Sequence, residues 1–143
     1  MKAGYTPQMA RSPQFFALLK YDDPEAAIEW LVRVFGFTEH FVHREGGLVV
    51  HAQLRLGDDL VMLSPATEHD RYGLQGPRTL PGQSQCVCVA IEDVDGHYKR
   101  AVSYGAEIIT SIADAPWGAR LYMCKDLEGH VWSIGNYWGE PLN

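Results

Sequence analysis

Two stretches of this chain carry the same succession of patterns, and that repetition constrains the fold more than any single motif. In 14–64, an apolar run at 14–21 leads into DDPEAAIEWLVRVFGF. Asp23 is placed to cap a helix, Pro24 suits its first turn, and Glu25 suits its positive end. Ala27, Ile28, Leu31, Val32 and Phe35 recur at helical spacing and give one apolar face. Gly36 can end the helix by adopting a positive φ. Strands are then expected at 37–43, 48–56 and 60–64, turned by Glu45-Gly46-Gly47 and Gly57-Asp58-Asp59. In 84–137 the order returns: a strand at 85–91, a helix from Asp93 to Tyr104 ended by Gly105, and strands at 106–112, 121–125 and 130–135. The capping Asp precedes the closing Gly by 13 residues in the first stretch (Asp23, Gly36) and by 12 in the second (Asp93, Gly105). The expected fold is α+β, two tandem βαβββ modules. A polar leader occupies 1–13, a single domain spans 14–143, and a Pro- and Gly-rich linker at 65–83 joins the modules.

Composition narrows the partners. A chain of 143 residues with 46% hydrophobic and 21% charged residues can bury one substantial core. The net charge of -6 and the lack of a Lys/Arg cluster argue against nucleic acid. No apolar run approaches a membrane span. The first residues lack the apolar stretch of a signal peptide, so a cytoplasmic location is expected. Three cysteines, Cys86, Cys88 and Cys124, make a poor disulfide framework and fit a reducing compartment.

The second stretch carries a set of short motifs: Glu92-Asp93-Val94-Asp95, Tyr104-Gly105-Ala106-Glu107, Pro116-Trp117-Gly118-Ala119-Arg120, and Asp126-Leu127-Glu128-Gly129-His130-Val131-Trp132. The first has Asp23-Pro24-Glu25-Ala26-Ala27, Phe35-Gly36-Phe37 and His51-Ala52-Gln53-Leu54-Arg55-Leu56-Gly57. Together, over roughly 14–137, they resemble the vicinal oxygen chelate superfamily of glyoxalases, bleomycin-resistance proteins and extradiol dioxygenases. The resemblance implies curved mixed sheets around a cleft that binds a small organic ligand, and often a homodimer. Sheet modules of this kind leave apolar edges that need covering, and Tyr137 and Trp138 are candidate contacts.

The resemblance also implies four metal-ligand positions in the family's enzymes. Counting back seven residues from Asp23 and Asp93 gives Phe16 and Cys86, and counting on seven from Asp126 gives Ser133; the fourth position is Met62. Phe and Met cannot serve as ligands to a divalent ion of this kind, and Ser serves poorly. No metal and no other cofactor is therefore expected. The reading that follows is a metal-free binding protein similar to the bleomycin-resistance branch. The alternative is a metal-dependent lyase or dioxygenase with shifted ligands such as His51. A structural or regulatory protein is a third class, which would fill the cleft with its own side chains.

The expected cleft lining is Phe16, Leu18, His51, Gln53, Leu60, Met62, Cys86, Cys88, Met123 and Ser133. His51 and Gln53 lie two apart on one strand and share a face, as polar anchors or as part of a solvated sheet. Cys86 and Cys88 also share a face and read more readily as small buried hydrophobes than as nucleophiles; a soft-metal site with His51 is the remaining alternative. Trp117 and Arg120 flank Gly118 in a loop that borders the cleft in the family; they suit ring stacking and anion binding, or loop locking. His130 is expected to steady its turn or face solvent, and His40, His43, His69 and His97 have no partner at ligand spacing. The linker, with Arg71, Tyr72 and Arg78, either closes over the cleft or merely crosses between modules.

Overall fold

The computed structural model describes residues 13–141, so nearly all of the expected leader lies outside the described residues. The strands are β1 (Leu18–Tyr21), β2 (Thr38–Glu45), β3 (Leu48–Leu56), β4 (Asp59–Pro65), β5 (Val87–Ala90), β6 (Glu107–Asp114), β7 (Arg120–Lys125) and β8 (Val131–Gly135). The helices are α1 (Pro24–Trp30), which continues into a π turn at Leu31–Phe35, and α2 (Val94–Ser103).

Both helix starts follow from their caps. The Asp23 carboxylate accepts from the Ala26 amide at 3.1 Å, and the Asp93 carboxylate accepts from the Gly96 amide at 2.9 Å. Gly36 closes the first helical segment at φ 79°. The single long helix expected from Asp23 to Gly36 loosens after Trp30, and the wider turn aims Leu31, Val34 and Phe35 into the core. The β2–β3 turn is a two-residue turn through Gly46 (φ 59°) and Gly47 (φ 80°), positive angles that hairpins favour because they match the strand twist.

Other boundaries move as well. β1 starts at Leu18, because Phe15 and Phe16 remain exposed ahead of it. β5 starts at Val87, which leaves Cys86 just before the strand. β6 runs on to Asp114 across two register shifts, where a loop was expected from Ala113.

Each module forms one mixed four-stranded sheet, in the orders β1-β4-β3-β2 and β5-β8-β7-β6. The first strand of each pairs in parallel with the last, and the other pairs are antiparallel. The two sheets do not join into a closed barrel. Strand alternation sorts the side chains. Leu19, Tyr21, Ala52, Leu54, Val61 and Leu63 are buried on the helix side of the first sheet; Tyr122, Cys124, Trp132 and Ile134 are buried on that of the second.

The modules share one core and one polar lock. The Phe35 ring meets Trp132 at 5.1 Å and His97 at 5.3 Å between centroids. Buried Asp126 accepts from Tyr21 Oη at 2.5 Å, Trp132 Nε1 at 3.0 Å, and the amides of Glu128, Gly129 and His130. Buried Glu128 accepts from the amides of Asp22 and Asp23 at 2.6 and 2.8 Å. The β7–β8 turn of module two is thereby fastened to the β1–α1 joint of module one.

Candidate functional site

Residues that alternate with the buried ones occupy the open faces of the sheets. In the first sheet Leu18 stands opposite Met62, and Met62 opposite Gln53. In the second, Cys88 stands opposite Ser133, and Ser133 opposite Met123. Two short rows of expected lining residues thus cross the sheets, Leu18–Met62–Gln53 and Cys88–Ser133–Met123. Leu60 continues the face of Met62 one step along β4.

A cavity of about 360 Å³ opens where the modules meet, a size that suits a small organic molecule. Leu18, Lys20, Leu74, Gln75, Cys86 and His130 are among its walls. Leu18 and Cys86 are the two expected lining residues that the cavity brings together; the others lie on the open faces beyond it. The segment 66–86 forms one wall and is tied down. Asp70 meets Lys20 at 2.8 Å, with both side chains largely buried, and Arg78 meets Asp22 at 3.3 Å. The Lys20 contact and the amides of Leu74 and Tyr72 hold Asp70 down to about pKa 2.

His51 and Gln53 do share a face, as β3 alternation requires, and their side chains bond to each other at 3.1 Å. With the Gln53 amide donating to His51 Nε2, the imidazole proton sits on Nδ1. Phe41, on the neighbouring strand, puts its ring 6.2 Å from that imidazole. Straight counting across the Gly46-Gly47 turn pairs Phe41 with Ala52, and only the register shift between His43 and Arg44 brings it opposite Gln53, so the sequence pattern does not place it there.

One expectation needs correction, and three other residues gain partners. Cys86 and Cys88 are exposed, where small buried hydrophobes were expected, because they point away from the helix side; their sulfurs lie 3.9 Å apart. Arg120 lies on the helix side, in register with buried Tyr122 and Cys124. Its guanidinium meets Asp95 at 3.0 Å and Asp114 at 3.1 Å, contacts of the loop-locking kind that match its charge. The His130 backbone closes its turn with Asp126, as expected, and its side-chain Nε2 donates to the Lys20 carbonyl at 2.7 Å across the module boundary. His97 bonds the Tyr122 hydroxyl at 2.6 Å. Trp117 is exposed and meets Tyr137 edge-on at 5.1 Å.

With this architecture in place, sequence comparison decides the family. Residues 14–134 match the Glyoxalase/Bleomycin resistance protein/Dioxygenase superfamily. The chain belongs to that superfamily. It is similar to an uncharacterized Mycobacterium bovis protein, 33% identical over 119 residues that cover 82% of this chain and 78% of the relative. It is also similar to the crystal structure of TioX from Micromonospora sp. ML1, with a TM-score of 0.70 and 36% identity, covering 87% of this chain and 98% of that one. The fosfomycin resistance protein FosX from Mesorhizobium loti shares the fold at 15% identity, with a TM-score of 0.62 and coverage of 90% and 94%.

Superfamily membership raises the question of a divalent metal, and the residues present do not fit one. Met62 faces Leu18, with Phe16 ahead of the strand; Ser133 faces Cys88, with Cys86 ahead of the strand. Neither pairing supplies an imidazole or a carboxylate, which such a centre needs. Shifting the register by one residue turns buried Leu63 and Ile134 inward, which are no better. Among the described residues, no three His, Cys, Asp or Glu side chains stand close enough to hold an ion. No helix among them is long and apolar enough to cross a membrane.

Proposed function

We propose that this protein binds a small organic molecule on the open faces of its sheets, without the divalent metal of the superfamily's enzymes. The observation that carries this reading is the His51–Gln53 pair, set among Phe41, Leu60 and Met62. An apolar surface with one polar anchor is the usual make-up of a small-molecule site. The pair satisfies one bond internally and leaves an imidazole nitrogen and an amide oxygen without other partners among the described residues. A ligand with a complementary donor and acceptor meets both. Cys86, Cys88, Met123 and Ser133 extend the surface into module two, and Phe16 and Leu18 border it in module one. Trp117 adds a ring for stacking at the loop. Arg120 contributes to anion binding only by leaving Asp95 and Asp114.

The protein works as a cytoplasmic homodimer in this reading. Its free cysteines fit a reducing compartment. The exposed rings of Tyr137 and Trp138 supply apolar contact for a second copy. Thermal-shift screening of aromatic and antibiotic-like compounds finds the ligand. His51→Ala then weakens its binding by about 1–3 kcal/mol, roughly one to two decades in affinity, with little change in melting temperature. Unchanged affinity together with a large fall in melting temperature overturns the anchor. Stoichiometric zinc, iron, nickel or manganese in the purified protein overturns the metal-free reading.

A further inference from the structure

We propose that Cys86 and Cys88 form a two-thiolate site for a soft monovalent cation, copper(I). The inference is independent of which organic molecule the open faces hold. The two residues are two apart, so the extended backbone puts both sulfurs on one side, where they stand 3.9 Å apart at the solvent-exposed start of β5. Cys86 also lines the cavity between the modules.

The separation selects among three chemistries. A disulfide needs sulfurs about 2.05 Å apart and α-carbons no farther than about 6.8 Å. In fully extended backbone, α-carbons two residues apart stand about 6.6 Å apart, at the edge of that range, and the sulfurs, 3.9 Å apart, still have to close almost half the gap. A nucleophilic thiolate needs a cation or base beside it. Lys20, the cationic side chain on the cavity wall, is held by Asp70 at 2.8 Å. Two bonds from sulfur to a first-row metal, each about 2.3 Å, span about 3.8 Å at a tetrahedral angle and about 4.6 Å in a straight line. The observed gap falls within that span, and exposed side chains can open to the linear limit by small rotations.

Ligand number then selects the ion. Thiolates favour copper(I), zinc and iron–sulfur clusters. Structural zinc takes four ligands, and clusters take four cysteines. Here no third His, Cys, Asp or Glu joins the pair among the described residues. Copper(I), with a filled d shell, is satisfied by two thiolates in line. On binding, two S–H bonds break, their protons pass to solvent, and two sulfur–copper bonds form; no electron is transferred.

The test is anaerobic titration of the full, reduced chain with copper(I), against a chromophoric copper(I) chelator. One equivalent per chain is expected, with a new sulfur-to-copper ultraviolet absorption. Cys86→Ser and Cys88→Ser each weaken binding more than about a hundredfold, beyond what losing an outer-shell partner costs. The double variant, which keeps buried Cys124, takes up none, and its melting temperature is unchanged because both positions are exposed. Failure of the wild type to compete with the chelator overturns the proposal. So does full binding by either single variant, or uptake by the double variant.

Discussion

The two modules share strand order and helix caps, yet their helices are held by different chemistry. The first helical segment buries Ala27, Ile28, Trp30, Leu31, Val34 and Phe35, so it stands on hydrocarbon and rings. Helix α2 buries only Val94 and Ala101 along its length. Its remaining contacts are aromatic and polar: Tyr98 packs edge-on against Tyr122 at 5.0 Å, and His97 bonds the Tyr122 hydroxyl. Module two also borrows support, because Trp132 lies under Phe35 and Phe37 of module one. A repeated topology therefore fixes where the elements go without fixing what holds them. Module one concentrates apolar packing; module two depends on hydrogen bonds and on its neighbour.

The part the modules share gives the largest expected effect. Asp126→Ala leaves the Tyr21 hydroxyl and the Trp132 indole N–H without their acceptor, and frees the turn amides. At roughly 1–3 kcal/mol per stranded buried donor, the loss is about 4 kcal/mol. Denaturant unfolding is expected to remain a single transition at a lower midpoint. Two separate transitions in the wild type would show that the modules do not stand or fall together.

The contrast between helices is sharpened by paired truncations. Ile28→Ala removes a fully packed side chain and is expected to cost about 3 kcal/mol. Val102→Ala, at a half-exposed position on α2, is expected to change stability by less than about 0.5 kcal/mol. Equal losses at the two sites would erase the distinction.

Much of this layout is legible in the sequence. Asp23 and Asp93 announce the caps, Gly36 and Gly105 the helix ends, and alternation from Ala52 to Leu54 the buried side of β3. The π turn at Leu31–Phe35 has no such signature, because its residues carry an ordinary apolar helical pattern. Arg120 is left between anion binding and loop locking by the sequence, and its alternation with Tyr122 and Cys124 puts it on the side of Asp95. The partners of His97 and His130 lie 25 and 110 residues away, and no local pattern encodes contacts of that separation. Cys86 and Cys88 were misjudged because a small side chain suits either face of a strand.

The smallest effect is a pH dependence confined to module two. Burial holds His97 below the ordinary imidazole value. In the unfolded chain the ring titrates near about 6.5. Between the folded value and that point the unfolded chain carries the extra proton, so stability rises with pH. The contribution is complete above about 6.5 and is lost as pH falls through and below it. Urea midpoints at pH 7.5 and 5.5 are expected to differ, and His97→Gln is expected to reduce the difference. An identical difference in the variant would remove His97 from the account.

Two of the four edge strands, β2 and β6, carry one more consequence. β2 shifts register between Glu39 and Phe41 and again between His43 and Arg44; β6 does so on either side of Thr110. Glu39, Arg44, Glu45, Glu107 and Asp114 stud the same strands, and Arg44 folds back to Glu25 at 2.7 Å. An incoming foreign strand needs an even row of unpaired amides and carbonyls, and kinked, charged margins do not offer one. The chain can leave these two margins open to water without seeding fibrous growth.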